Sequence, residues 1–324
     1  MMDAIWLEEN QLSIRHLPAP ARREEVLVKV RLGGICATDL EMVKGYYPFT
    51  GVLGHEFVGE VAALPRPTSL PGSERLQVGD RVVGEINAVC GHCEQCLHGR
   101  STHCENRTVL GIVNRDGAFA EYLSLPMQNL HAVPGLVTDE MAVFTEPLAA
   151  ALEIREQVQI MPTDRVLVIG AGRLGQLVAQ TLALTGCDLR VLARHARQRE
   201  LLAARRIRTM DEDEMQPWLW DIVVEATGSP GGFAVARKAV RPRGTLVVKS
   251  TYKGQLNVDF SRLVVDEITV VGSRCGPFEP ALRLLESGQV DPLPLIDAEH
   301  PLRDGLEAFE SAGQTGAMKI LLRP

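Results

Sequence analysis

Residues 165–186 read RVLVIGAGRLGQLVAQTLALTG, and this stretch decides the architecture of the chain. RVLVI is an apolar, branched run of the length of a buried strand. Glycines follow at 170, 172 and 175, and an apolar-periodic run then leads to Gly186, which reads as the stop of a helix. Gly170-x-Gly172-x-x-Gly175 between strand and helix is the spacing of a dinucleotide turn. Gly170 makes the turn, Gly172 lets the backbone approach a pyrophosphate, and Gly175 lets helix and strand pack closely. Arg173 and Leu174 fall in the same turn, where unpaired N–H groups and the positive helix end would meet phosphates. Glycine triplets are common, and the plain alternative is a strand-to-helix turn without a ligand.

Downstream, LRVLAR (189–194), DIVVEATG (221–228), GTLVVKS (244–250) and EITVVGS (267–273) read as further strands separated by helical stretches. Such alternation predicts a parallel, doubly wound α/β sheet with helices on both faces. A helix (PALRLLESG), a Pro-rich turn and a last helix–strand pair ending KILLRP complete the chain. Upstream the pattern is β: VLVKVRLGG, HEFVGEVAAL and GDRVVGEINAV are short, valine-rich and bounded by turn residues. TDEMAVFTEPLAAALEIREQ (138–157) reads as helical, with Thr138 or Asp139 as N-cap. PRPTSLPGS (65–73) reads as a surface insertion.

The chain has 324 residues, enough for two domains. Acids exceed bases, 41 against 34, which argues against nucleic acid or an anionic membrane as partner. No apolar run reaches the length of a spanning helix, and MMDAIWLEEN lacks the basic start of a signal peptide, so a cytoplasmic protein is expected.

Four of the seven cysteines are clustered: Cys90-x2-Cys93-x2-Cys96-x7-Cys104. Without an export signal, such clustering favours metal over disulfides. Four thiolates fill a tetrahedral zinc completely, so this site would be structural; Gly91 and Gly99 ease its turns, and His92, His98 and His103 read as bystanders. Cys36 in GGICATD, His55 and Glu56 in GVLGHEFVGE, and Glu146 in FTEPLAAAL are weak signals taken singly. A lone cysteine is most often a small buried hydrophobe, and a lone strand histidine is more often hydrogen-bonded than metal-bound.

GICATD, GHEFVGEV, VGDRV, the four-cysteine lobe, GAFAEY, EPLA, GAGRLG and the final GAMKILL occur in that order along nearly the whole chain. Together they resemble the zinc-dependent medium-chain dehydrogenase/reductase family, which includes alcohol, sorbitol and threonine dehydrogenases. The resemblance implies a discontinuous β-rich GroES-like catalytic domain over 1–147 and 276–324, a Rossmann cofactor domain over 148–275, and a homo-oligomer (dimer or tetramer), with 267–275 a candidate pairing edge. It implies hydride transfer between an alcohol or carbonyl substrate and a nicotinamide cofactor. Cys36, His55 and Glu146 would hold a catalytic zinc, with Glu56 approaching the zinc or holding its water and Asp39 orienting the His55 ring. Thr38 matches the hydroxyl that takes the alcohol's proton, although alone it reads as an ordinary threonine. Glu41 stands where many relatives carry a histidine, which leaves the proton's outward route open. Thr227 and Ser273 match positions lining the cofactor cleft.

An NAD site usually places an acid at the end of the second strand. Here Arg194 takes that position, followed by His195, Arg197 and Arg199, and an arginine clasps a 2′-phosphate, so the reading prefers NADP over NAD. The competing reading is a solvated basic helix face. Met42, Tyr46 to Phe49 and residues 117–119 are expected to line a partly apolar substrate pocket. Two alternatives stay open: a polyol or amino-alcohol dehydrogenase of the same family, and a catalytically silent zinc- and dinucleotide-binding protein.

Overall fold

The computed structural model describes residues 1–21, 24–65 and 76–324. The expected insertion at 65–73 lies outside the described residues except for Pro65. The chain forms two compact units: Met1–Glu146 with Ala281–Pro324, and Pro147–Pro280.

The second unit contains the parallel sheet. Its six strands run in the order Arg208–Met210, Asp188–Leu192, Arg165–Ile169, Trp220–Glu225, Val240–Val248 and Thr269–Gly272, all parallel. The order reverses direction beside Arg165–Ile169, which makes the carboxyl edge there the crevice in which doubly wound sheets take ligands. The central strand RVLVI is buried from Val166 to Ile169, as its apolar run requires. The following helix, Arg173–Ala183, stops short of the expected Gly186; Leu184 caps it, and Gly186 reverses the chain with φ +77°.

The first unit is β-rich. Val26–Gly34 lies at the centre of its largest sheet, pairing with Glu56–Ala63, Tyr122–Leu125 and the C-terminal Lys319–Arg323. The chain's last strand thus joins a sheet begun near its start. A core of Ile5, Leu7, Ile35, Met42, Leu53, Phe119 and Phe309 packs against it, with the two phenylalanine rings edge to face at 5.8 Å.

Two expectations change here. The 138–157 stretch is two helices, Asp139–Ala142 and Thr145–Gln157. Pro147 explains the break: it has no N–H to donate back to residue 143, and its ring would clash there. Restarting at Thr145 places the proline in a first turn, where neither defect matters. Thr138 is the N-cap of the first helix, its side chain accepting from Met141 N. Second, Met42 and Phe119 are fully buried in the core and do not line a substrate pocket.

Asp139 locks this region to the sheet. It accepts from Arg31 Nε at 2.7 Å and Arg81 Nη1 at 2.9 Å. Burial opposes its charge, but the two guanidiniums prevail and hold the carboxyl below the ordinary range.

Candidate active site and metal centres

Cys36 is the N-cap of the short helix Ala37–Val43. Its backbone N–H donates to Asp39 Oδ2 at 2.8 Å, so a residue of the first turn fixes the entry of the chain. This places Cys36 Sγ 3.8 Å from the Thr38 hydroxyl. Asp39 is buried, with Oδ1 3.2 Å from His55 Nδ1. The pair is close enough to attract but not aligned as a hydrogen bond, and neither atom has another hydrogen-bond partner. Burial pushes the His55 pKa down, but Asp39 and Cys36 outweigh it and hold the imidazole well above its ordinary value.

Glycine contacts set the histidine's position. Gly54 has φ +98°, and a Cβ there would come within 2.6 Å of the Phe119 ring. A Cβ on Gly117 would approach Gly54 O to 2.3 Å, and one on Gly111 would approach it to 2.4 Å. The backbone before His55 is thus held by close passage of the segment that carries Gly111, Gly117 and Phe119.

Ligand atoms of Cys36, His55 and Glu56 all lie within 4.8 Å of one another. The buried atoms His55 Nδ1, Asp39 Oδ1 and Glu56 Oε1 have no hydrogen-bond partner. His55 Nδ1 and Asp39 Oδ1 face each other, so Glu56 Oε1 is the atom that a cation held by the Cys36 sulfur and the other imidazole nitrogen would compensate, and the residues fit zinc. Glu146, the second residue of Thr145–Gln157, belongs to no such cluster among the described residues. Glu56 instead has a partner that sequence reading missed. Lys319 Nζ donates to Glu56 Oε2, and it also approaches Ile35 O at 3.4 Å and lies 5.5 Å from the centre of the Phe144 ring. Both charged side chains are 1% exposed.

Cys90, Cys93, Cys96 and Cys104 form the second cluster. Sulfur–sulfur separations are 3.5 Å for 93–96, 3.7 Å for 93–104 and 3.5 Å for 90–104. Four sulfurs at a Zn–S distance of about 2.3 Å define a tetrahedron with edges of about 3.8 Å. The set matches that figure and is far from disulfide distance, about 2.05 Å. Backbone donors from His92 and then Cys93 draw Cys90 down to about 6, whereas desolvation and the neighbouring sulfur of Cys93 push Cys96 up to about 12. Gly91 and Gly99 take φ of +77° and +73° at the turns. His92 and His98 bond backbone carbonyls of Cys90 and Glu94.

In the second unit, Gly170 has φ +99°, and a Cβ there would meet Ala226 O at 2.7 Å. A Cβ on Gly175 would meet Gly170 O at 1.9 Å, so strand and helix cross where no side chain fits. Gly172, the helix N-cap, has no protein atom within 4 Å of an added Cβ, which leaves its backbone open to a phosphate. The second strand ends at Leu192, so Arg194 stands two residues beyond it and not at its end. Its guanidinium is exposed, 3.4 Å from Glu212 Oε2. Thr227 is engaged locally, donating its hydroxyl to Glu225 Oε1 at 2.6 Å. Ser273 meets a second residue missed from the sequence, Lys249, whose Nζ is 3.1 Å from Ser273 Oγ.

Comparison with known proteins places the chain among dehydrogenases. Residues 22–135 match the alcohol dehydrogenase GroES-like domain, and residues 153–259 match the shikimate/quinate 5-dehydrogenase model. A sorbitol dehydrogenase of Halalkalibacterium halodurans is 30% identical across 97% of this chain and 96% of its own. The chain belongs to the zinc-dependent medium-chain dehydrogenase/reductase family. An L-threonine 3-dehydrogenase of Idiomarina loihiensis is also 30% identical, over 92% of each chain. Among solved structures, a zinc-binding dehydrogenase of Sinorhizobium meliloti bound to NADP superposes with a TM-score of 0.89 at 27% identity, covering 100% of this chain and 99% of that one. An Escherichia coli alcohol dehydrogenase complexed with NADH gives 0.87 at 28%, covering 100% and 99%. This medium-chain dehydrogenase is an oxidoreductase of the alcohol dehydrogenase type acting on a small molecule. No helix among its described residues is long and apolar enough to cross a membrane.

Proposed function

We propose that the protein oxidises a small alcohol or polyol, or reduces the matching carbonyl, with NADP as preferred cofactor and two zinc ions per chain. The convergence of Cys36, His55 and Glu56 beside Thr38 and Asp39 carries this reading. When bound, zinc supplies Lewis acidity that lowers the pKa of an oxygen ligand, and nicotinamide supplies the hydride acceptor.

Cys36 and His55 hold the catalytic ion, and Glu146 completes the set. Glu56, already matched by Lys319, steadies the water or substrate oxygen. Asp39 orients the imidazole. The Thr38 hydroxyl takes the alcohol's proton. Glu41 lies three residues on along the same helix face, paired with Lys44 at 2.7 Å, and is the outer group of that relay. The four-cysteine lobe holds the structural ion. We assign 1–147 with 276–324 to the catalytic domain and 148–275 to the cofactor domain.

Gly170, Gly172, Arg173, Leu174 and Gly175 form the diphosphate turn, with Thr227 and Ser273 on the nicotinamide side. Arg194 exchanges Glu212 for a cofactor 2′-phosphate. Arg194→Asp is expected to lower the NADP-over-NAD preference in kcat/KM by about tenfold or more, the scale of a lost charge-assisted bidentate contact. An unchanged preference removes the cofactor assignment.

The relatives named sorbitol dehydrogenase and L-threonine 3-dehydrogenase support a diol or amino-alcohol within the substrate class. Steady-state kinetics with both dinucleotides over alcohols, polyols, amino alcohols and aldehydes tests the function. Dinucleotide binding without turnover of any of them refutes it. Metal analysis should give about two zinc ions per chain.

The edge strand Thr269–Gly272 leaves Val270 46% exposed, and Phe260, Val264 and Val265 lie exposed on the preceding helix. An unpaired strand edge beside apolar side chains suits a second copy of the chain, giving a homodimer. A monomer mass by light scattering at micromolar concentration would exclude it.

A further inference from the structure

Lys249 has no place in the scheme above, yet it is one of the most unusual side chains in the cofactor unit. It follows the strand Val240–Val248 directly and is only 8% exposed. Its backbone N–H donates to Glu225 O, at the end of the neighbouring strand. Its Nζ donates to Ala150 O at 2.7 Å and lies 3.1 Å from Ser273 Oγ, just after the edge strand. The ammonium therefore sits at the carboxyl edge of the sheet, between the fifth and sixth strands in spatial order and the helix Thr145–Gln157. That helix is pressed against the same edge: a Cβ on Gly276 would meet Ala149 O at 1.9 Å.

The glycine turn fixes which half of a dinucleotide comes here. On the dinucleotide reading, the diphosphate would lie over the start of Arg173–Ala183, at the point where the strand order reverses. The adenosine half would then extend over Asp188–Leu192, and the nicotinamide half over Trp220–Glu225, Val240–Val248 and Thr269–Gly272. A buried lysine is costly and rare, and here the cation would stand under the half of the cofactor whose charge changes in the reaction. The oxidised ring is a cation and the reduced ring is neutral. Glu153 on the same helix and Glu225 at the end of the neighbouring strand are acids near this edge; burial pushes the Glu153 carboxyl up, and Lys249 pulls against that.

We propose that Lys249 is a specificity-determining residue for the redox state of the cofactor, its fixed charge weakening the oxidised dinucleotide relative to the reduced one. This rests on the dinucleotide reading given under the proposed function. Loss of the charge strengthens binding of the positive ring and leaves the neutral ring nearly unaffected. On the enzyme, the wild-type charge favours the step in which the cofactor accepts hydride, hence alcohol oxidation.

The test is equilibrium binding to the zinc-loaded protein. Dissociation constants for NADP⁺ and NADPH are measured by fluorescence and competition, alongside 2′-phospho-ADP-ribose as a probe of the adenosine half. Lys249→Met removes charge and donors; Lys249→Gln removes the charge but keeps a donor for Ala150 O and Ser273. In both, the ratio of the oxidised to the reduced constant should fall by about tenfold, with the fragment's affinity unchanged. A ratio within twofold of wild type in the glutamine variant overturns the proposal. So does a common loss of affinity for all three ligands in both variants, which would mark Lys249 as a strut alone. Failure of wild type to bind any of the three overturns the dinucleotide reading itself, and this proposal with it.

Discussion

Cys36→Ala is expected to lower kcat/KM by about 10³-fold or more, on the order of 4 kcal/mol of transition-state stabilisation. The size follows from what the thiolate does. A zinc centre lowers the pKa of an oxygen ligand from about 15.7 to about 7, and alkoxide formation depends on that shift. Cys36 is one of three proposed protein ligands, the one that would place a full negative charge on a soft donor, so its loss should weaken the ion's hold throughout. The fold should survive, because the bond that anchors this corner, from the Cys36 backbone to Asp39 Oδ2, does not involve the sulfur. Zinc content should therefore drop by about one ion per chain while the far-ultraviolet circular dichroism stays unchanged. A variant that keeps both metals and a tenth of the activity would contradict the assignment of Cys36.

Lys319→Met should have the largest effect on stability. The Glu56–Lys319 pair is almost completely excluded from water, and removing one partner leaves the other charge uncompensated, which costs about 3–5 kcal/mol. The lost contact with the Phe144 ring adds about 0.5–2 kcal/mol. Thermal unfolding of the unit should shift by on the order of 10 °C. Lys319→Met combined with Glu56→Gln should be more stable than Lys319→Met alone, because the stranded carboxylate is gone. Sub-additive losses in that double-mutant cycle would identify the pair as one interacting unit. A single-variant loss under about 1 kcal/mol would show that entering water or a rearranged neighbour relieves the stranded carboxylate.

What could be read from the sequence was whatever depends on near neighbours. Gly170, Gly172 and Gly175 act within one turn, and the four cysteines close on each other over fifteen positions, so spacing alone nearly determines their geometry. Cys36 and His55 are ambiguous as single residues, and only the ordered set of motifs singled them out. Met42 and Phe119 were misplaced because sequence gives proximity to a site but not the direction of a side chain, and both turn into the core. Glu56 and Lys319 are 263 positions apart, so neither announces the other. A signal was present all the same: a lysine inside the apolar run AMKILL must either leave the strand or find a buried acid. Lys249 in LVVKS poses the same question, and a carbonyl and a hydroxyl are among its partners.

The tight passage of Gly54 beneath the Phe119 ring and against the backbones of Gly111 and Gly117 leaves evolutionary drift almost no room next to His55. Substitution meets far less resistance in segments such as Tyr46 to Phe49, where side chains are partly in contact with solvent. The position of His55 is thus guarded by three residues that have no side chains at all.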